Sequence, residues 1–236
     1  MNTLITKKNI SLLIVLKLTL VVVMLLSTSG GTANNKKTME NLSKLKKTAS
    51  ESNVPGNTPS IDTITLGGGC FWCVEAVYEM LDGVIKVESG YSGGKIKNPS
   101  YKEVCTGLTG HAEAVQIVFD NSKTSVDEIL KVFFTVHDPT TLNRQGEDVG
   151  TQYRSVIFYR NEQQRKIAGS IIDGLNNAKA YNRPIVTKLD PYTNFYKAED
   201  YHQDYYNQNK SEPYCRMVIQ PKLEKFEKVF KDRLKK

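Results

Sequence analysis

The sequence predicts an α+β domain in which a mixed, mostly antiparallel sheet carries packed helices in a second layer. Three observations predict this class. Short stretches of alternating apolar and polar residues indicate strands, and longer stretches with apolar residues three or four positions apart indicate amphipathic helices. The two patterns mix without the regular strand–helix–strand order of a parallel α/β sheet. We therefore expect one two-layer domain over residues 61–236.

The first part of this domain shows strand and helix patterns in turn. Ile61–Leu66 alternates like a strand, and Cys70–Leu81 carries apolar residues at helical spacing. Val84–Tyr91 and Glu113–Phe119 are also strand-like. A further helix is predicted to follow Ser125, because this serine and the glutamate three residues later form a capping box.

The second part continues the mixture. Tyr153–Tyr159 is predicted as a strand, and Asn161–Ala180 as a helix capped by its first residue. Ile185–Leu189 has the pattern of a short strand, and Ala198–Tyr206 has a helical one. Pro221–Leu234 is predicted to be a closing amphipathic helix.

Two predicted loops, Lys95–His111 and His137–Gly150, are longer than the connections usual in compact domains. Long loops in such domains often carry functional residues. Polar residues in and beside these two segments are therefore candidates for a site.

The N-terminal part differs in composition from the domain. Residues 1–33 combine adjacent lysines, an apolar run whose uninterrupted part is Leu18–Leu26, and then small residues, which is the plan of an export signal. Because Lys17 could snorkel, an uncleaved N-terminal membrane anchor is the alternative. Residues 34–60 are a predicted polar linker. We expect the domain to be exported to the periplasm or another extracytoplasmic space.

The net charge of +7 belongs to the N-terminal part. Residues 1–50 contain eight lysines and one acid, whereas 24 basic residues balance 24 acidic ones from Glu51 onward. A folded domain without a basic face is not expected to bind nucleic acid.

The most informative segment is Gly67–Cys73, which places two thiols three residues apart between a predicted strand and a predicted helix. Backbone N–H groups at a helix start lower the pKa of a cysteine and favour its nucleophilic thiolate. We therefore predict that Cys70 is reactive and that Phe71 and Trp72 form one wall of an apolar pocket. The alternative is a buried helix start in which the cysteines pack as small apolar side chains.

Several polar residues are candidates to assist a reactive thiol. Glu113 begins a strand, and partial burial beside the thiol would raise its pKa and make it an acid. Taken alone, it is better interpreted as an ordinary edge-strand glutamate. Tyr101 and Tyr153 are two of 12 tyrosines, so residue type alone does not single them out. Asp148 is interpreted as a solvated loop residue, and His111 as a structural loop histidine.

The spacing of the four cysteines argues against a zinc site. Cys70 and Cys73 are paired but Cys105 and Cys215 stand alone, whereas structural zinc usually has two close ligand pairs. No bound metal is expected. Two other interpretations are open: a thioredoxin-like disulfide oxidoreductase, which also carries CxxC at a helix start, and an exported binding domain with two static disulfides.

The motifs together resemble the A-type peptide methionine sulfoxide reductases, from about residue 61 to residue 215. The matching motifs are Gly-Cys-Phe-Trp at 69–72, Gly-Tyr-Ser-Gly-Gly at 90–94, Asn-Pro-Ser-Tyr-Lys-Glu-Val-Cys at 98–105, Gly-His-Ala-Glu-Ala-Val at 110–115, His-Asp-Pro-Thr-Thr-Leu-Asn-Arg-Gln-Gly at 137–146, Gly-Thr-Gln-Tyr-Arg-Ser at 150–155 and Phe-Tyr-Lys-Ala-Glu-Asp-Tyr-His-Gln at 195–203. The resemblance implies a two-layer α+β sandwich with a ferredoxin-like core. It also implies thiol-dependent reduction of the S epimer of methionine sulfoxide, free or in proteins.

The resemblance implies a catalytic role for several residues. Cys70 matches the family's catalytic cysteine, and Glu113 matches the glutamate that protonates the sulfoxide oxygen. Tyr101 and Tyr153 match tyrosines that hydrogen-bond this oxygen. Cys105 matches a family cysteine whose expected role is packing. The family binds no cofactor, takes electrons from an external thioredoxin-like dithiol, and is expected to be monomeric.

Substrate contacts and the second thiol follow from the same resemblance. Phe71 and Trp72 match aromatics that enclose the S-methyl group, and Asp148 matches an acid that helps to hold the substrate backbone. Catalysis converts the first cysteine into a sulfenic acid, which a resolving cysteine then converts into a disulfide. Cys73 and Cys215 are equal candidates for that resolving role, alone or in relay.

Overall fold

The computed structural model describes residues 60–236. The predicted export segment and the predicted linker lie outside the described residues, apart from Ser60. The strands are β1 Ile61–Gly68, β2 Val84–Ser92, β3 Ala112–Asp120, β4 Arg144–Gln145, β5 Asp148–Val149, β6 Ser155–Tyr159, β7 Lys188–Pro191 and β8 Phe195–Lys197. The α-helices are α1 Phe71–Glu79, α2 Tyr101–Cys105, α3 Val126–Val136, α4 Glu162–Asn177, α5 Tyr205–Gln208 and α6 Gln220–Val229.

One six-stranded sheet, in the order β7–β6–β1–β3–β2–β8, organises the described residues, and β4 pairs with β5 separately. Within the six-stranded sheet, β6 and β7 run parallel and the other neighbours run antiparallel. The predicted α+β class with a mixed, mostly antiparallel sheet is confirmed.

The core lies between the sheet and the helices that cover it. Ile64 on β1 and Ile117 on β3 face each other across the two central strands and have no exposed surface. Tyr78 on α1 is also fully buried, and its hydroxyl donates a hydrogen bond of 2.8 Å to the carbonyl oxygen of Ile129 on α3. Burying each such side chain stabilises the fold by about 1.5–3 kcal/mol.

The edge strand β8 was not predicted from the sequence, because three residues carry too little pattern. Its approach depends on Gly90 of β2, where a Cβ atom would lie 2.5 Å from the carbonyl oxygen of Tyr196. The last predicted strand is also shifted. β7 starts at Lys188, and the N–H of Val186 pairs instead with the carbonyl oxygen of Pro139.

Two predictions about helices are wrong. The predicted loop Lys95–His111 contains α2, which begins at a capping box: the Ser100 side chain accepts from the N–H of Glu103, and the Glu103 side chain accepts from the N–H of Ser100. The helix predicted at Ala198–Tyr206 is interrupted at Asp204, whose φ of +49° is left-handed. A 3₁₀ turn precedes this residue and the short α5 follows it.

The closing helix has an irregular beginning. Cys215–Ile219 form a π-helical turn that runs directly into α6. The buried residues Leu223 and Phe226 pack α6 into the domain, close to α1. Among the described residues, no helix combines the length and the apolar character needed to cross a bilayer.

Candidate active site

Cys70 lies at the junction of β1 and α1. β1 ends at Gly68, Gly69 adopts a left-handed φ of +92°, and Cys70 is the residue just before the first turn of α1. The Cys70 side chain is 6% exposed. The turn therefore holds the thiol inside the domain, close to the surface of the sheet.

Glu113, the second residue of β3, is buried beside this junction. Its side chain is 2% exposed, and its Oε2 accepts a hydrogen bond of 3.1 Å from the N–H of Phe71. Burial raises the pKa of Glu113 to about 8, and the charges of Asp148 and Cys73 act in the same direction. The hydrogen bond from Phe71 opposes this shift. The carboxyl is therefore mostly protonated at neutral pH, as the predicted acid requires.

Cys70 and Cys73 form a coupled pair of thiols. The N–H of Cys73 donates to the carbonyl oxygen of Cys70 over 3.2 Å, and their side chains share a hydrogen bond. Burial raises the pKa of Cys70 well above its usual value, so the predicted lowering at the helix start is wrong. The loss of hydration of a buried thiolate outweighs its attraction to the helix end.

The pKa of Cys73 is shifted in the opposite direction to that of Cys70. Its pKa is lowered to about 6, first because Cys70 donates a hydrogen bond to it and further because Lys222 attracts its thiolate. Burial acts in the opposite direction. The two thiols are therefore coupled, and ionisation of either one disfavours ionisation of the other.

Tyr214 connects Asp148 to this pair. Its hydroxyl donates a hydrogen bond of 2.9 Å to Oδ2 of Asp148, and the same oxygen lies 3.9 Å from Sγ of Cys73. Asp148 is thus a member of the site rather than a solvated loop residue. Its predicted contact with a substrate backbone stays a prediction.

Trp72 is held in place by aromatic neighbours on three sides. Tyr205 stacks on its ring at 3.7 Å and 8°, and Tyr214 meets it edge-on at 5.8 Å. The indole N–H donates a hydrogen bond of 3.2 Å to Nδ1 of His202. The Trp72 side chain remains partly exposed, which leaves part of it available to a ligand.

Phe71, the residue before Trp72, is buried in the core. It is 1% exposed and packs against the rings of Tyr91, Tyr101 and His202 at 6.0, 6.5 and 5.1 Å. This side chain is therefore part of the core that supports the site. Its predicted contact with a substrate methyl group stays a prediction.

Tyr101 and Tyr153 both lie within the electrostatic reach of Glu113. Each is partly buried, and burial raises the pKa of each phenol above its usual value, with the charge of Glu113 acting in the same direction. Both hydroxyl groups therefore stay protonated at neutral pH.

The remaining cysteines occupy different environments. Cys215 begins the π-helical turn and is fully buried. Burial raises its pKa, and the charges of Glu212 and Cys73 act in the same direction. Cys105 is exposed at the end of α2, so the predicted packing role is wrong. Its side chain hydrogen-bonds to Tyr101 instead. All four cysteines are free thiols.

His111 is a structural loop histidine, as the sequence predicts. It is 1% exposed, its Nδ1 accepts from the N–H of Gly94 over 3.1 Å, and its Nε2 donates to the carbonyl oxygen of Ile96 over 2.8 Å. Within residues 60–236, no group of three or more His, Cys, Asp or Glu side chains is arranged to hold a metal ion.

Four site residues were not singled out from the sequence: His202, Tyr205, Tyr214 and Lys222. His202 is the second-last residue of the 195–203 motif and Tyr214 directly precedes Cys215, so the positions of both indicated the site. Tyr205 and Lys222 carried none, because their contacts with α1 are made between segments distant along the chain.

Comparison with known proteins places this site in a family. The family model described as peptide methionine sulfoxide reductase matches residues 62–234. The MsrA protein of Saccharolobus solfataricus is 58% identical over 175 residues, which cover 74% of this chain and 98% of that protein. The MsrA 1 protein of Rhodopirellula baltica is 56% identical over 177 residues, which cover 75% of this chain and 91% of that protein.

Solved structures give the same assignment. The reduced form of Mxr1 from Saccharomyces cerevisiae superimposes with a TM-score of 0.61 at 32% identity, covering 70% of this chain and 94% of that one. Methionine sulfoxide reductase A of Corynebacterium diphtheriae has a TM-score of 0.56 at 36% identity, with 65% and 77% covered.

Fold and relatives together define an α+β oxidoreductase. The chain belongs to the peptide methionine sulfoxide reductase family, A type. Its enzyme class is accordingly peptide-methionine (S)-S-oxide reductase. This membership decides against the thioredoxin-like alternative and against a binding domain without enzymatic activity.

Proposed function

We propose that the protein repairs oxidised methionine, free or in proteins, by reducing the S epimer of the sulfoxide through the thiol of Cys70. The observation that carries this proposal is the meeting of a buried thiol pair with a carboxyl that is protonated at neutral pH. A sulfoxide oxygen leaves sulfur only when it is protonated. The reaction therefore needs a thiol that attacks the sulfur and an acid that protonates the oxygen bonded to it.

In the first step, the sulfur of Cys70 attacks the sulfoxide sulfur while Glu113 gives its proton to the oxygen. The proton of Cys70 passes to the Cys73 thiolate, which already accepts a hydrogen bond from it. Tyr101 and Tyr153 donate hydrogen bonds that stabilise the charge developing on the oxygen. The oxygen then passes from the methionine sulfur to Cys70 as the substrate S–O bond and the new bond between the two sulfurs break. This leaves a sulfenic acid on Cys70, releases methionine and leaves Glu113 as a carboxylate.

In the second step, Cys73 resolves the sulfenic acid. Its sulfur bonds to that of Cys70, its proton joins the departing hydroxyl group, and water leaves. Cys73 is favoured over Cys215 because it already contacts Cys70, and a held neighbour needs no search. Cys215 then exchanges with the disulfide in a relay, and an external thioredoxin-like dithiol supplies two electrons to restore the thiols.

A single turnover without reductant tests this proposal. With one equivalent of sulfoxide per protein, wild type is expected to convert it into methionine and to form a Cys70–Cys73 disulfide first, identified by mass spectrometry of the peptides. Cys70→Ser is expected to form no methionine, and the exposed Cys105→Ser is the matched control with wild-type yield. Full activity in Cys70→Ser, or a first disulfide that omits Cys70, would contradict the mechanism.

We also propose that residues 1–33 direct export, so that the repaired proteins lie outside the cytoplasm. The adjacent lysines, the apolar run and the small residues that follow support this. Fractionation of cells expressing the full chain, with N-terminal sequencing of the product, distinguishes a cleaved signal from a retained anchor. Recovery of the intact chain in the cytoplasm would contradict export.

A further inference from the structure

The five-residue helix α2 carries Tyr101, one of the two phenols proposed to bind the sulfoxide oxygen. A helix this short is not stable by itself, so its position depends on contacts with the rest of the domain. The capping box between Ser100 and Glu103 satisfies an N–H group of each of these two residues. It leaves the N–H of Tyr101, the first residue of the helix, for another acceptor.

That acceptor is the carboxylate of Glu199, 98 positions later in the chain, which no step above uses. Its Oε1 accepts a hydrogen bond of 2.9 Å from the N–H of Tyr101, and its Oε2 accepts one of 2.8 Å from the hydroxyl of Tyr91 on β2. Burial opposes ionisation of Glu199, but the hydrogen bonds from Tyr101 and Tyr91 outweigh it and lower the pKa of this carboxyl. Both oxygens of a charged group are therefore engaged.

Tyr91 connects this carboxylate to the proposed acid. It is directly opposite Glu113 in the pairing of β2 with β3, it is 1% exposed, and its ring packs against that of Phe71 at 6.0 Å. Glu199 follows the edge strand β8 by two residues, and β8 pairs with the same part of β2. The carboxylate is therefore fixed to the sheet that also holds Glu113.

We propose that Glu199 is a positioning residue that fixes the phenol of Tyr101 relative to the acid Glu113 by holding the start of α2 against β2. This inference rests on the proposed function. Tyr101 and Glu113 are assigned to one atom, the sulfoxide oxygen, so a change in the distance between them weakens their hydrogen bonds in the transition state. The path between them consists of two side-chain hydrogen bonds, both made by Glu199, and one pair of neighbouring strands.

Loss of this carboxylate should lower the maximal rate of methionine formation and change substrate binding little. Glu199→Ala removes both hydrogen bonds, and we expect the single-turnover rate at saturating sulfoxide to fall by about tenfold to a hundredfold. The sulfoxide concentration that gives half of this rate should change by less than about twofold, because the oxygen is bound most strongly in the transition state. Glu199→Gln should retain the rate to within about threefold, because its amide oxygen can accept from Tyr101 and its amide N–H can donate to the hydroxyl oxygen of Tyr91.

A double-mutant comparison separates the positioning of Tyr101 from a general loss of structure. In a Tyr101→Phe background, which lacks the phenol, Glu199→Ala should slow methionine formation by less than about twofold further. Tyr91→Phe removes one of the two hydrogen bonds and keeps the buried ring, so it should fold and slow the reaction less than Glu199→Ala does. Asp200→Ala is the matched control, because that side chain is 96% exposed and pairs with Lys197, and it should behave as wild type.

Three results would overturn the inference: a wild-type rate in Glu199→Ala, equal slowing by Glu199→Ala with and without the Tyr101 hydroxyl, or a Glu199→Gln variant as slow as Glu199→Ala. If Glu199→Ala does not fold, Tyr91→Phe decides, and a wild-type rate or equal slowing in both backgrounds overturns the inference as well. The proposed function fails separately, if wild type forms no methionine or Cys70→Ser still forms it. If those two proteins behave as proposed and Glu199→Ala keeps the wild-type rate, the role of Glu199 alone fails.

Discussion

The backbone N–H of Phe71 donates a hydrogen bond of 3.1 Å to Oε2 of Glu113. This bond joins the first residue of α1 to the second residue of β3, 42 positions later in the chain. It places the buried acid next to the residue that follows Cys70. The same bond orients the carboxyl, because it engages one of the two carboxyl oxygens.

Replacement of this acid should slow catalysis and remove one limb of its pH profile. Glu113→Gln lacks the proton to donate, and a positioned general acid contributes about 10²–10⁴-fold. Wild-type single-turnover rates should fall as pH rises through about 8, the pKa to which burial raises Glu113. The variant should lack that fall. Glu147→Gln, on a fully exposed side chain, is the control, and an identical alkaline limb in Glu113→Gln would remove Glu113 from the acid role.

Burial of Glu113 should also make stability depend on pH. Its folded-state pKa lies above its unfolded value, so between about pH 4.5 and 8 the folded protein binds a proton that the unfolded chain has released. The free energy of unfolding should therefore fall as pH rises through this window. Glu113→Gln should gain stability relative to wild type by up to a few kcal/mol, at about 1.4 kcal/mol per pKa unit.

Urea unfolding of both proteins near pH 5 and near pH 8 measures this difference. Comparison of the two proteins cancels the titration of other buried acids, such as Glu75, whose pKa is raised by burial to about 7. A difference in unfolding free energy that does not change with pH would show that Glu113 is not protonated in the fold.

Tyr205 should control the environment of Trp72. Trp72 is the single tryptophan of the chain, so intrinsic fluorescence reports on this residue alone. Tyr205→Leu removes the ring stacked at 3.7 Å and should shift the emission to longer wavelength. It should also raise KM for a sulfoxide substrate more than it lowers kcat, because Trp72, which is predicted to form one wall of the substrate pocket, would be held less firmly. Tyr206→Leu is the control, because this ring lines a cleft beside Glu79 and Met80, and it should leave both signals unchanged. An unshifted emission in Tyr205→Leu would exclude the stacking role.

Gly69 should be intolerant of a side chain. Its φ is +92°, and a Cβ atom there would lie 2.5 Å from Cβ of Gln145. We expect Gly69→Ala to destabilise the fold by about 1–3 kcal/mol and to displace Cys70. Gly169→Ala is the matched control, because that position is inside α4 with its nearest contact at 3.8 Å, and it should be neutral or stabilising by up to about 1 kcal/mol. Equal stability of the two variants in thermal unfolding would contradict the strain.

Local sequence patterns were sufficient to predict most of the elements in the sheet and its covering layer. The strands β1, β2, β3 and β6 and the helices α1, α3 and α4 follow from periodicity and capping residues, which depend on near neighbours in the chain. The short elements α2, α5 and β8 did not. Three to five residues carry little periodicity, and their conformation depends on packing against distant segments, such as β8 against Gly90.

The sequence by itself determined which side chains are available for chemistry: two thiols at a helix start, an acid at a strand start and aromatic residues between the thiols. The tertiary structure decided their charges. Local reasoning assigns the negative charge to Cys70, because a helix end attracts an anion. In the fold, burial raises the pKa of Cys70, whereas a hydrogen bond from Cys70 lowers the pKa of Cys73, and Lys222, 149 positions beyond Cys73, acts in the same direction. Hydration and ion pairing depend on which distant segments meet, and the chain pattern near a residue does not contain that information.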